Sequence, residues 1–254
     1  MIPRVSLFAS AIRKQFFDTF FNSLSYSTIQ LEVIFAGILE EVPFWKMSTT
    51  VDFKYIHTEN IKPAQCYEIA RRACSGELIH WTADDAVYTP DFLAKAYDYW
   101  KLQNNPRLIL SLQTKENGQF CNMNYHSFFG MNANTPLMAP LGLMSREFAD
   151  ECGGFDKRFV CGQQENGLVM EALVRGGEVK VFGDKHNLIV LDHYARHGIK
   201  RPFAEGYNRD REVLEASWTD GKGNCVMTRM DKHESFEDKD ILIKSQSNNL
   251  PRWV

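Results

Sequence analysis

The sequence predicts an α/β fold with a mostly parallel central sheet covered by helices on both faces. Three observations carry this: a strand, helix and strand within the first 37 residues, a second such alternation up to residue 82, and two adjacent acids just beyond it.

The first unit runs from "VSLFAS" (5 to 10) to "LEVIFAG" (31 to 37), both apolar runs of strand length. Between them "KQFFDTFFNSL" sets Phe16, Phe17, Phe20, Phe21 and Leu24 on one helical face. "FKYIHT" (53 to 58) then reads as a strand, "PAQCYEIARRAC" (63 to 74) as a helix with Pro63 in its first turn, and "GELIHWT" (76 to 82) as a strand. Asp84 and Asp85 follow it, in the strand-to-helix loop where open α/β sheets collect ligands. "TPDFLAKAYDYW" predicts the next helix, with Thr89 as cap and Pro90 at its first position.

Beyond this point the alternation weakens. "RLILSLQTKENGQFCNMNYHSFFG" predicts a hairpin turning at Asn117 and Gly118, residues that accept the positive backbone angles of a tight turn. "SREFADECGGFDKRF" predicts a capped helix stopped by Gly153 and Gly154. "QENGLVMEALVRGG" predicts another helix closed by glycines, and "EVKVFG" and "LIVLDH" predict late strands. From about residue 200 the chain is charged and sparse in apolar residues, which predicts a helix and an extended, partly mobile tail. One domain over 1–199 with a C-terminal extension over 200–254 is the expected organisation.

The chain has 254 residues, 44% of them hydrophobic, enough for a sizeable core. Its 29 Lys and Arg against 32 Asp and Glu give a net charge of -3, so nothing favours nucleic acid or an anionic membrane as main partner. Six cysteines without a CxxC pair point to neither a zinc ribbon nor a disulfide framework, and suit reduced thiols in a cytoplasmic setting, with a peripheral membrane association left open. "RVSLFASAI" suits a buried first strand better than a signal segment, and no run approaches the roughly 18 apolar residues of a transmembrane helix.

Taken in order, the first unit, "SGELIHWTADDAVYTPDFL", "ECGGFDKRF", "GQQENGLVMEALVRGG" and "LDHYARHG" resemble the family-two glycosyltransferases, whose GT-A fold is Rossmann-like. The resemblance implies a nucleotide-diphosphate sugar donor held by about residues 1–115 and a glycan or lipid-linked glycan acceptor held by about 116–199. The implied reaction is a direct displacement that inverts the anomeric carbon. It needs a divalent cation, Mn²⁺ or Mg²⁺, for the departing diphosphate and a carboxylate base for the acceptor hydroxyl.

The family's metal motif is two aspartates separated by one residue. Laid on "WTADDAV", it puts Ala83 at the first, Asp84 at the spacer and Asp85 at the metal-ligand position. Asp85 is therefore the expected carboxylate ligand. His193, after the last predicted strand, matches the histidine that completes the metal shell, with Asp192 placed to orient its ring; His197, four residues on, is a weaker candidate. Ser10, Gln65, Trp81 and Asp84 are the residues expected to face the donor. The competing reading makes the two acids solvated loop residues, Asp84 being a turn-former.

The family's base sits in a Glu-Asp pair opening a helix. Here Glu165 takes the glutamate position and Asn166 the other, so Glu165 is the expected base, with Glu171 or Asp156 as alternatives and a bare helix-terminus role as the competing explanation. Gly37 stands where the second strand commonly ends in aspartate, with Glu40 and Glu41 only later, and Tyr67 and Glu68 replace an Arg-Asn pair. Among the aromatics, Trp81 and Tyr88 flank the acids and are candidate sugar-stacking faces, whereas Trp100, Phe128 and Phe129 suit the core. These departures also permit a GT-A-like module that binds nucleotide-sugar or glycan without turnover. A nucleotidyltransferase fits less well, because the first strand is not followed by a Gly-rich basic phosphate loop.

Overall fold

The computed structural model describes residues 3–42, 49–58, 62–120, 136–191 and 204–238, without the side chains of 204 and 205. The first two strands, β1 (Val5–Ser10) and β2 (Leu31–Gly37), flank helix α1 (Phe17–Leu24) and pair in parallel from Val5 opposite Leu31 to Ser10 opposite Ala36. Their side chains alternate between two cores, as the period of a strand requires. Val5, Leu7 and Ala9 face α1 and its phenylalanines, while Phe8 points to the opposite face with Ile34 and Ala36.

The chain continues through β3 (Val51–His57), α2 (Pro63–Arg72), β4 (Leu78–Trp81), β5 (Ala86–Tyr88), α3 (Phe92–Gln103) and β6 (Leu108–Leu112). Then follow β7 (Thr114–Glu116), β8 (Gln119–Phe120), β9 (Gly142–Ser145), α4 (Arg146–Glu151), α5 (Gln164–Val174), β10 (Glu178–Phe182), β11 (Ile189–Leu191) and α6 (Ala204–Trp218). Seven strands form the central sheet in the order β10–β6–β9–β4–β1–β2–β3, all parallel to their neighbours except β9. A second, four-stranded sheet has the order β5–β11–β7–β8. Helices α1 and α3 cover one face of the large sheet, and α2, α4, α5 and α6 the other. No described helix is long and apolar enough to cross a membrane.

The predicted hairpin is present between β7 and β8, with φ of 49° at Asn117 and 83° at Gly118. Ser145 caps α4 by accepting from the Phe148 amide at 3.1 Å, and Gly153 and Gly154 end that helix with positive φ. The start of α3 differs from the sequence expectation. Thr89 is recruited sideways, its amide and hydroxyl both donating to Leu188 O, so the helix begins beyond Pro90, after Asp91 at φ 57°. That tie belongs to the pairing of β5 with β11, a short ladder that no local periodicity announces.

The helix expected after residue 200 is present as α6. Leu214 and Trp218 of α6, and Phe236 beyond it, are buried in the core shared with α2 and α5.

Candidate active site

Strands β1 and β4 are neighbours, so the loops leaving their carboxyl ends meet. Asp84 fastens them together. Its Oδ2 accepts from the amides of Ile12 and Arg13 at 3.1 and 3.0 Å, and its Oδ1 from Arg13 Nε at 2.8 Å and from Arg13 Nη2. The same guanidinium donates through Nη1 to Asp85 Oδ2 at 2.9 Å. Both acids are buried, at 1% and 3% exposure. Burial pushes the Asp84 carboxyl above its ordinary range, against the pull of Arg13. These acids are therefore not solvated loop residues.

A cleft of about 390 Å³ opens over this junction. Ser10, Trp81, Asp84 and Glu165 all line it, so four of the expected site residues share one cavity although they span 155 positions from Ser10 to Glu165. Arg13 lines it as well, while Asp85 sits behind the lining. Gln65 does not line the cleft. Tyr67, two residues along α2, does, its hydroxyl donating to Thr82 O at 2.6 Å and its ring packed edge-on against Phe8 and Phe155. His193, Asp192, His197, Phe128 and Phe129 lie outside the described residues.

Trp81 is buried, its Nε1 donating to Ala139 O at 2.9 Å. The ring lies so close to Gly142 that a Cβ there would be 2.0 Å from Trp81 Cζ2, which is why β9 carries a glycine at that point. Tyr88 is internal: its hydroxyl bonds Thr82 Oγ1 and, at 2.9 Å, His80 Nε2. His80 Nδ1 lies 2.8 Å from Gly142 O, which assigns that nitrogen the proton and leaves Nε2 to accept from Tyr88. Burial pushes His80 down to about 4, so it stays neutral in this network.

Across the cleft, α5 begins at Gln163 in a left-handed conformation, φ 63°. The wholly buried Asn166 secures that turn, donating from Nδ2 to Gln163 Oε1 at 2.7 Å. Asn166 is thus a structural amide, and Glu165 is the carboxylate that reaches the cleft. Burial pushes Glu165 up to about 7, with the Asp210 charge adding to the shift. A carboxyl poised there exchanges a proton near neutral pH.

The two alternative bases are engaged elsewhere. Asp156 accepts from Arg158 Nη2 at 2.7 Å and Arg229 Nη2 at 2.6 Å, and Glu171 pairs with Arg229 Nη1. Burial alone would raise both carboxyls, but their hydrogen bonds to Arg158, His233 and Arg229 hold them below the usual range. Glu68 is fully buried between Arg71 and Arg72 and accepts from the Phe155 amide at 3.1 Å. Gly37 has no room for an acid, since a Cβ would lie 2.4 Å from Ala11 O and 2.6 Å from the Tyr55 hydroxyl. Glu40 and Glu41 instead line an open groove of about 440 Å³ that shares Ile12 with the cleft.

With this geometry in view, solved structures supply a match. S. aureus TarS residues 1–349 align with a TM-score of 0.57 at 13% identity, covering 74% of this chain and 60% of that one. The fold is of the GT-A type. The same TarS segment in complex with UDP aligns over 87% of this chain and 73% of that one, again at TM-score 0.57 and 13% identity. Its complex with UDP-GlcNAc aligns over 75% and 58%, at 12% identity. Against the longer TarS chain the match spans 37% of that chain. No family model matches the sequence, and no curated protein is significantly similar to it.

The resemblance to metal-using glycosyltransferases implies a divalent cation at the acids, and Asp84 and Asp85 are the carboxylates that would hold it. Ions of the Mg²⁺ class are commonly held by one or two carboxylates together with substrate phosphates. No cluster of three or more His, Cys, Asp or Glu able to hold a metal occurs among the described residues. Further ligands would come from the donor or from beyond the described range.

Arg13, Glu116 and Tyr207 are among the cleft residues that the sequence did not mark, and neither did it mark Asp210. Asp210 accepts from the amides of Val160, Cys161 and Gly162 at 2.8, 2.7 and 2.9 Å, fixing the loop that delivers Glu165, and Tyr207, one turn earlier on α6, lines the cleft. The spacing of Tyr207, Asp210, Leu214 and Trp218 is helical and was the available signal. Replacing Asp210 by Ala should cost roughly 2 kcal/mol, because three amides, that of Gly162 buried, lose their acceptor. Urea denaturation reads that loss, and amide exchange at 160–162 should accelerate.

Proposed function

We propose that the chain is an inverting glycosyltransferase that moves a sugar from a nucleotide-diphosphate donor to a hydroxyl of a glycan or lipid-linked glycan. The observation that carries the reading is Glu165, a cleft carboxyl raised to about 7 and facing the Asp84 junction across one cavity. The TarS complexes with UDP and UDP-GlcNAc support a nucleotide-sugar as the donor class.

In this reading Ser10, Tyr67, Trp81 and Asp84 shape the donor side, and Glu165 accepts the proton of the attacking hydroxyl as the glycosidic bond forms and the nucleoside diphosphate leaves. Asp85 and His193 are the residues assigned to Mn²⁺ or Mg²⁺, which when bound would neutralise charge on the departing diphosphate. Gln65 keeps only a supporting place on α2. We place the activity in the cytoplasm or at a membrane surface facing it, where the free Cys66, Cys74, Cys152, Cys161 and Cys225 thiols suit a reducing setting.

A second reading, binding without turnover, is favoured by Ala83, which stands where the resemblance expects the first aspartate of the metal motif. A panel of nucleoside diphosphates and nucleotide-sugars, with and without Mn²⁺, separates the two. Thermal stabilisation with release of nucleoside diphosphate supports the enzyme, and stabilisation without release under any acceptor supports the binding module. If no nucleotide shifts the melting temperature, both readings fail.

A further inference from the structure

The Arg13 side chain occupies the position between the two acids that any counter-charge must take. Its Nε and Nη2 serve Asp84 Oδ1 while Nη1 reaches Asp85 Oδ2, and the guanidinium is 14% exposed at the cleft wall. The fork is planar, and the two carboxylates engage separate nitrogens of it. Arg13 is also anchored at its own backbone, since its amide donates to the other oxygen of Asp84. Two adjacent buried carboxylates repel each other, and removing their shared cation leaves charge that must be met by another cation or by a proton.

We infer that Arg13 is a built-in counter-ion that competes with a divalent cation for the Asp84–Asp85 pair, so that the cation binds well only when a nucleotide diphosphate draws the guanidinium away. The inference rests on the donor-site reading above for its second half alone. The first half, competition for the acids, concerns the free protein. Arg13 is in this sense a positioning residue: it holds both carboxylates in place before the donor arrives, and its charge then turns to the diphosphate.

The test is Mn²⁺ binding to the full chain, followed by the electron paramagnetic resonance of free Mn²⁺ with no nucleotide present. Arg13→Gln should bind Mn²⁺ at least tenfold more tightly than the wild type, and Asp85→Asn should abolish that gain. Arg13→Lys, which keeps the charge but loses the fork, should gain at least threefold and serves if the glutamine variant does not fold. Mn²⁺ affinity equal to or below that of the wild type in the folded variants overturns the inference. Adding UDP to the wild type should raise its Mn²⁺ affinity, with a smaller rise in Arg13→Gln. If UDP neither stabilises the protein nor changes Mn²⁺ binding, the donor-site reading fails while the nucleotide-free comparison still decides the competition.

Discussion

Glu165→Gln should slow sugar transfer by a factor of about 10²–10⁴, the range a positioned general base contributes, with donor affinity changed less than threefold. The wild-type rate should climb with pH through an apparent pKa near 7 and level off above it, because only the ionised carboxylate takes the hydroxyl proton. The variant should lose that inflection. Stability gives an independent reading with a definite sign. The folded-state pKa of about 7 lies above the ordinary value of 4.5, so between those values the unfolded chain releases a proton that the folded chain still holds. Folding stability therefore falls as pH rises across that window and is lowest above it. Glu165→Gln removes the penalty and should be more stable than the wild type at pH 8 by about 1–2 kcal/mol, the partial exposure of the side chain reducing the full linkage value. A glutamate that merely complements a helix N-terminus would behave oppositely, losing stability on neutralisation.

Asp84→Ala should cost roughly 3 kcal/mol in urea denaturation and abolish nucleotide-dependent stabilisation. The variant strips the acceptor from the Ile12 and Arg13 amides and from most of the Arg13 guanidinium, in a part-buried setting. Asp85 still pairs with Arg13, which keeps the loss below that of an isolated buried charge. Asp84→Asn retains one acceptor oxygen and should lose about half as much. A change below 0.5 kcal/mol would mean that Asp84 is a solvated turn-former after all.

The parts of the fold written in periodicity were legible. Phe17, Phe20, Phe21 and Leu24 are all buried on one side of α1, and Asn117 and Gly118 turn where their backbone freedom allows. What was not legible depends on partners distant in sequence. Thr89 looked like a cap until Leu188 claimed it, 99 positions away. Gly142 gives no local sign that the Trp81 ring fills the space of its missing side chain. Within the site, Asp84 and Glu165 were visible from their places beyond a strand and at a helix start. Arg13 was not, because its partners lie 71 and 72 residues on and a lone arginine after a strand has no distinguishing pattern. Asn166 looked like a lost catalytic acid, and its buried bond to Gln163 explains the amide on structural grounds.

The central claim is that nucleotide-sugar sits in the cleft between the Asp84 junction and Glu165. Hydrogen exchange followed by mass spectrometry, with each nucleotide-sugar of the panel added to the wild type in the presence of Mn²⁺, tests it most directly. The account predicts that at least one of them slows exchange in the segments 10–13, 81–85 and 161–165 together. Protection confined to other segments, or none in these three with any donor, would contradict it.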